Sequence, residues 1–422
     1  MSPCLENVLW MLVGGAVSAA YCILMQRRHA PHLTFEPGSL PNIDSGLRVV
    51  AGLTRAAVQL GNRAQVLQNG AFFDAVERDI QAARYTVHIE TFVWTRGTLE
   101  ARFADLLCAK VREGVKVRVV IDAMGGIRAS RGQLRRMRKC GVDLQIFCRL
   151  HWWNLRRLNH RTHRKIFVID GEIGYTCGHG IADQWLGDAE DRAHWRDTAV
   201  RLEGPIVHSL QSVFMENFVW ESQCVPSGEG SFPPLPTRGS VDSHIVSDSS
   251  GLAISSVALL YTVAIACARR EVLIQNPYFA PDDTIVELFA TLVRRGVEIR
   301  LMVPGENTDS PFVRRAGCHL YELLLRAGVH IHEFLPTLIH QKVVVVDGVW
   351  AHIGSTNFDS RSLKLNEEVG IGLLDQAVAT QLRQAFADDL RRSRELTLEE
   401  WRKRPGYSRV IDWMAYQVHD QL

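Results

Sequence analysis

A chain of 422 residues is long enough for two or three domains at about 150 residues each, and its balance of 46% hydrophobic and 22% charged residues excludes a disordered, collagenous or polytopic membrane protein. With 48 Lys and Arg against 46 Asp and Glu, the net charge of +2 provides no overall electrostatic footprint for nucleic acid. The 9 cysteines, odd in number and without a CxxC pair, argue against a disulfide scaffold or a zinc site and for a reducing compartment.

In chain order, the first feature is VLWMLVGGAVSAAYCILM, residues 8–25, which runs 18 residues without a charge. As a helix it spans about 27 Å. Only Glu6 precedes it, while Arg27 and Arg28 follow. A secretory leader carries positive charge before its apolar stretch; here the charge comes after, which predicts a single membrane anchor with the body of the protein in the cytoplasm. Residues 31–44, punctuated by Pro and Gly, read as a juxtamembrane linker, so anchor and linker occupy 1–47.

The next elements are a helix over 72–83, the apolar strand YTVHIETFVW, a helix ending at Glu113-Gly114, the strand VKVRVVID, and a short helix running into CGVDLQIF. After VPSGEGSFPPLPTRGS (225–240), whose 4 prolines and 3 glycines prevent any regular element, the pattern repeats. A helix over 252–268 leads to EVLIQNPYF, a helix ending at Arg295-Gly296, VEIRLMVP, and a helix ending at AGVHIHEF. Each helix–Gly–strand join is a C-cap leading into a buried strand. Near-continuous apolar strands alternating with helices predict sheets covered on both faces, an α/β fold of two lobes. The expected division is lobe one over 48–225, a linker over 226–250, lobe two over 251–395 and a tail over 396–422.

Each lobe ends on the same short signature: His163-Arg-Lys165-IFVI-Asp170 in lobe one, His340-Gln-Lys342-VVVV-Asp347 in lobe two. Period two places His and Lys on one face of a buried strand, where a Lys is costly without an anion to meet it. Lobe two continues into Gly354-Ser355-Thr356-Asn357, a turn able to offer hydroxyl, amide and backbone N–H groups to phosphate oxygens. The corresponding turn of lobe one reads Cys177-Gly178-His179-Gly180, which lacks the amide. Gly141 stands 22 residues before His163, against 12 from Gly328 to His340, so lobe one carries a ten-residue insertion. Its sequence, RLHWWNLRRLNHRTHRK, sets two adjacent Trp among Arg and suits a membrane-facing loop, single-stranded nucleic acid or simple packing. In the tail, Tyr407, Val410, Ile411, Met414, Ala415 and Val418 recur at helical spacing, predicting an amphipathic helix packed on a lobe or, alternatively, lying on a bilayer.

With its paired HxKxxxxD sets and GSxN turn, the chain over residues 64–395 resembles the phospholipase D superfamily. More narrowly it is similar to the bacterial cardiolipin synthases, through the anchor, HIETFVW, NPYFAPD, VPG, NFDSRSLKLNEE and LTLEEWRKRP. The resemblance implies two pseudo-twofold-related α/β/α lobes around one active site, without metal or cofactor, in the bacterial inner membrane. It implies His163, Lys165, Asp170, His340, Lys342 and Asp347 as the catalytic set, the two Asp read as structural partners at strand ends. One neutral imidazole attacks a phosphodiester and the other, protonated, serves the leaving alcohol, so the two pKa values should be driven apart. The lysines serve the non-bridging oxygens. By the superfamily's usual order His163 is the nucleophile; Gly178, Ser355 and Asn357 are the phosphate-binding candidates; Glu368 should orient His340 and Asp197 should orient His163. Glu90 reads as either close to the site or at a surface strand end, and Cys177 as a small buried side chain. The implied partners are anionic phospholipids and the bilayer, not nucleic acid. Phosphatidyl transfer making cardiolipin leads; hydrolysis, a nuclease of the same superfamily and a non-catalytic lipid binder remain open.

Overall fold

The computed structural model describes residues 42–54, 56–149, 160–249 and 255–417, with residues 6, 10, 11, 14, 15 and 18. Most of the anchor expected over 8–25 and the Trp-bearing part of the insertion, 150–159, lie outside the described residues. Among the described residues no helix is long and apolar enough to cross a membrane.

The strands of the first half are β1 (Gln59–Gln68), β2 (Thr86–Thr91), β3 (Lys116–Asp122), β4 (Asp143–Phe147), β5 (Ile166–Ile169), β6 (Ile173–Cys177) and β7 (Thr198–Glu203). The second half contributes β8 (Val241–Ser247), β9 (Glu271–Gln275), β10 (Phe279–Ala280), β11 (Glu298–Pro304), β12 (His330–Phe334), β13 (Val343–Val346), β14 (Trp350–Gly354), β15 (Phe358–Asp359), β16 (Val369–Leu374) and β17 (Ser393–Leu396). All but β10 and β15 form one sheet of 15 strands, ordered β4-β3-β2-β5-β6-β7-β1-β8-β16-β14-β13-β9-β11-β12-β17. Read outward from the β1–β8 seam, each half has the same order, with β17 added at one edge. In each half three strands run parallel (β2-β3-β4 and β9-β11-β12), while edge strand β17 and the strands nearer the seam pair antiparallel.

The helices form where the sequence signals them. In Asp283–Arg294, Asp282 caps the first turn by accepting from the Ile285 N–H, and Ile285, Val286, Phe289 and Leu292 make the buried stripe. The chain then leaves through Gly296 at φ +86°; Gly114 and Gly328, both at φ +91°, do the same after Thr98–Arg112 and Pro311–Ala327. Helices Ile206–Ser222 and Gln376–Leu390 cover a core shared by both halves, in which Phe214, Phe218, Ile245, Val343, Ile371 and Phe386 belong to one cluster. Two further clusters fill the opposite face, one in the first half and one in the second, the latter joined by Leu47 and Val50 of helix Ile43–Thr54. Residues 223–240 form no strand or helix, as their prolines require.

Among the described residues there is a single disulfide, short of the scaffold that the cysteine count argues against. Cys108, on helix Thr98–Arg112, is disulfide-bonded to Cys140, which ends helix Arg131–Lys139. Two packed helices bring together residues 32 apart, a pairing without a local spacing motif. The tail differs from expectation. Helix Gly406–Tyr416 packs against Pro311–Ala327, but through Ser408, Asp412 and Ala415, while Tyr407, Val410, Ile411, Trp413 and Met414 face solvent. Val418 lies outside the described residues.

Candidate active site

The two HxK segments meet across the seam between the halves, each held by residues of the other. The His163 N–H donates to the Glu367 carbonyl (2.8 Å), and the His340 N–H donates to the Arg196 carbonyl (2.7 Å). The next residue in each case is a carboxylate that grips the imidazole: Glu368 lies 3.0 Å from His163 Nδ1, and Asp197 Oδ2 lies 2.8 Å from His340 Nδ1. Both carboxylates sit just before equivalent strands, β16 and β7. Their assignment is thus the reverse of that expected from sequence. Each acid is adjacent in sequence to its own lobe's strand, but the lobes face each other, so it reaches the opposite histidine.

Lys165 Nζ donates to the His163 carbonyl at 2.7 Å, and Lys342 Nζ to the His340 carbonyl at 2.6 Å. Lys342 Nζ also lies 2.9 Å from His340 Nδ1. Burial is the largest influence on all four groups. It pushes both imidazoles down to about 4, with neighbouring lysines adding to the effect, and lowers Lys165 to about 7 and Lys342 to about 8. Burial alone would raise the carboxyls. The charges and hydrogen bonds of the histidines and lysines, with His179 beside Asp197, hold both below their ordinary range. The expected split between the histidines is therefore not built into the free site: both are neutral at pH 7. A phosphodiester anion placed between them is what can favour an imidazolium on one side.

The turns differ between lobes as their sequences do. The Ser355 hydroxyl donates to Glu368 and accepts from the Val369 N–H, so it buttresses the carboxylate. The Asn357 side-chain oxygen is buried without a protein partner on the wall of a cavity beside His163. In lobe one, the Gly178 N–H donates to the Thr198 carbonyl at 3.4 Å, and any side chain at 178 would collide with Asp197. Gly178 and Ser355 thus both lie against the orienting acids, Gly178 beside Asp197 and Ser355 bonded to Glu368. Trp185 does for Asp197 what Ser355 does for Glu368, donating its Nε1–H at 2.9 Å, and its ring together with Val93 occupies the space an Asn at 180 would need. Sequence reading missed Trp185, since nothing in its surroundings distinguishes it from a core aromatic. Aromatic rings flank both imidazoles: Phe92 meets His163 edge-on at 5.2 Å, and Trp185 meets His340 at 5.2 Å.

Asp170 and Asp347 lie at the ends of β5 and β13 away from the histidines. Asp170 accepts from the N–H groups of Arg84, Tyr85 and Thr86, and Asp347 from those of Arg269, Arg270 and Glu271. Both have positive φ, +52° and +53°. They staple the turn before β2 and β9 to the HxK strand, which removes them from a direct catalytic role and fits their reading as structural partners. Glu90 is fully buried on β2, bonded to Thr162 and to Asn217, and burial raises it to about 7. It underlies His163 through Thr162 and is not a surface acid. Cys177 is buried and its thiol is pushed up by burial, as a small core side chain would be. Among the described residues, the one group with metal-ligand spacing is Glu190, Asp191 and His194, at the surface.

The repeated lobes, the shared sheet and the facing HxK segments define a phospholipase D-like protein. Residues 76–209 and 261–390 match the family described as cardiolipin synthase, PLD-like domain. Cardiolipin synthase A of Pseudomonas putida (strain GB-1) is 33% identical over 366 residues, covering 85% of this chain and 74% of that protein. The enzyme of the same name from Pseudomonas entomophila (strain L48) is 34% identical with the same coverage. In fold, the chain is similar to phosphatidylserine synthase of Haemophilus influenzae Rd KW20, with TM-score 0.63 at 15% identity over 90% of this chain and 100% of that one. Polyphosphate kinase of Porphyromonas gingivalis follows with TM-score 0.53 at 14% identity, covering 87% of this chain and 52% of that one. The chain belongs to the cardiolipin synthase family of phosphatidyltransferases.

Proposed function

We propose that the chain makes cardiolipin by transferring a phosphatidyl group from one phosphatidylglycerol to another through a phosphohistidine. The observation that carries this reading is the pair of neutral histidines, each beside a lysine and each held at Nδ1 by the other lobe's carboxylate. That hydrogen bond leaves Nε2 of each ring for chemistry, with Lys342 Nζ 3.1 Å from Nε2 of His340. His163 attacks phosphorus and forms the P–N bond as the P–O bond to glycerol breaks; His340, made an imidazolium by the bound phosphodiester anion, delivers its Nε2 proton to the departing alkoxide and is left neutral. His340 then takes the proton of the second lipid's hydroxyl, whose oxygen attacks phosphorus and displaces His163. Lys165 and Lys342 hold the non-bridging oxygens where charge collects. His163 is assigned the nucleophile because it keeps an exposed edge of 12% and borders the cavity.

On this reading the chain divides into an anchor with linker (1–47), two catalytic lobes (48–225 and 251–395) joined by 226–250, and a tail (396–422). Residues 8–25 hold it in a bacterial inner membrane with the lobes in the cytoplasm, as the uncharged stretch followed by Arg27 and Arg28 supports. The solvent-facing Tyr407, Val410, Ile411, Trp413 and Met414 lie against the same bilayer. Helix Gly406–Tyr416 runs parallel to Pro311–Ala327, as the Arg315–Asp412 bond and the His319–Tyr416 ring contact require. Its exposed face therefore begins near exposed Phe312, between Ser310 and Val313 of the cavity wall.

The test is purified protein in detergent given labelled phosphatidylglycerol, with products resolved. Cardiolipin and glycerol are expected, and His163→Ala and His340→Ala should each abolish turnover in a folded protein. Phosphatidic acid without cardiolipin would instead establish hydrolysis, and substantial activity in either variant would sink the two-histidine mechanism.

A further inference from the structure

The cavity beside His163 carries two guanidiniums that the chemistry at the histidines does not use. It measures about 310 Å³ and extends from His163 to Tyr278, whose ring meets His340 edge-on at 6.4 Å. Two guanidinium groups line it, Arg161 from lobe one and Arg361 from lobe two. Arg161 is buried and anchored 3.5 Å from Asp122, a carboxylate already taken up by the N–H groups of Met124, Gly125 and Thr162. Arg361 follows Ser360 in the short helix Ser360–Lys364 and feels the charge of Arg161, an arrangement of like charges that an anion relieves. The facing acids are Asp359, Asp122 and, for Arg361, Glu368. Burial raises Asp122 and Asp359, the latter to about 7, which weakens their hold on the two cations.

The polar wall between the guanidiniums is incompletely satisfied. Ser362, 1% exposed, has its hydroxyl without a protein partner, as has the side-chain oxygen of Asn366. A hydroxyl donor and two guanidiniums around a cavity form a phosphate site by chemistry. The transferred phosphate is not their ligand, since Lys165 and Lys342 already sit at the histidines that react with it. Transfer to a second phospholipid brings another phosphodiester into the site, separated from the attacking hydroxyl by one glycerol unit.

Resting on the transferase reading above, we propose that Arg161, Arg361 and Ser362 bind the phosphate of the acceptor lipid. With that phosphate fixed in the cavity, the lipid's hydroxyl lies at His340. Its oxygen forms the new P–O bond as the P–N bond to His163 breaks, its proton passes to His340, and the acceptor's own phosphodiester is unchanged. The site favours a phospholipid alcohol over water or a small alcohol by positioning, not by exclusion.

The experiment compares two acceptors after the same first half-reaction. Full-length protein with labelled phosphatidylglycerol is assayed for cardiolipin formation and, separately, for exchange of labelled free glycerol into phosphatidylglycerol. Glycerol carries no phosphate, so the ratio of the two rates reads the acceptor site. Arg361→Gln should lower that ratio about tenfold to a hundredfold, the worth of one charge-assisted contact. Ser362→Ala, a smaller change made in case the first variant fails to fold, should lower it about threefold to tenfold, and Arg361→Lys should recover part of the loss. An unchanged ratio in Ser362→Ala and in folded Arg361→Gln overturns the proposal, whether both rates fall together or neither falls. A wild-type protein that yields phosphatidic acid with neither cardiolipin nor glycerol exchange overturns it along with the transferase reading.

Discussion

His163 and His340 are tuned by the same environment, and that likeness has a kinetic consequence. His163 must be neutral to attack, a form that prevails above its pKa of about 4, while His340 must carry a proton for the leaving alcohol, a form that the bound phosphodiester anion favours. Lys165 and Lys342 must be charged to hold the phosphate, a form that prevails below about 7 and about 8. The sign is therefore a rise in kcat/KM with pH through about 4, as His163 loses its proton, and a fall by about 7 to 8, as the lysines lose theirs, with loss of the His340 proton adding to the alkaline fall. A pH profile of kcat/KM checks it, and an alkaline limb near the ordinary lysine value would show that burial does not depress these amines. The HxK pairs were legible in the sequence because they repeat at a fixed distance from an Asp. The crossing of Glu368 and Asp197 was not, because it depends on which backbone faces which at the seam, where Thr162 pairs with Glu367 and Arg196 with Ile339.

Secondary-structure elements show the same division between what periodicity carries and what packing decides. Helix Gly406–Tyr416 has the apolar spacing expected of it, yet presents Val410, Ile411, Trp413 and Met414 to solvent. The reason is electrostatic: Asp412, 1% exposed, bonds to both Arg315 and Arg404, and Arg315 also donates to Ser408. Turning the helix over would bury the apolar stripe but break a buried carboxylate from two guanidiniums, at a cost of about 3–5 kcal/mol. Because the anchor segment supplies membrane binding of its own, the helix is best tested through substrate access. Replacing Val410, Ile411 and Met414 together by Ser should lower turnover of phosphatidylglycerol in vesicles about tenfold relative to its turnover in detergent micelles, through loss of apolar contact with the bilayer. Equal rates relative to wild type in both presentations would show that this face does not meet lipid.

At the scale of the whole molecule, the repeat was readable from two sets of helix–Gly–strand joins, whereas the seam was not. β1 and β8 carry no shared signature, and their pairing is irregular between Gln59 and Asn62, yet they turn two lobes into one sheet of 15 strands. Near-zero net charge likewise concealed buried ion pairs spanning the seam. Arg196 of the first half meets Asp389 of the second at 3.1 Å, and Arg164 meets Glu367 at 3.7 Å, with the position before the orienting acid cationic in one half and anionic in the other. A core cluster and two buried ion pairs shared between halves leave neither lobe a complete folding unit. The described lobes should therefore unfold in a single calorimetric transition despite the sequence repeat. Arg196→Ala strands the buried Asp389 carboxylate, with Gln275 as its remaining side-chain donor, and should cost about 3–5 kcal/mol. For a chain of this size unfolding as one unit, that corresponds to a fall in Tm of roughly 3–6 °C. The fall must appear in the whole transition and not in one half of it. Two separable transitions, of which Arg196→Ala moves one, would mean that the lobes are independent domains and that the seam merely brings their histidines together.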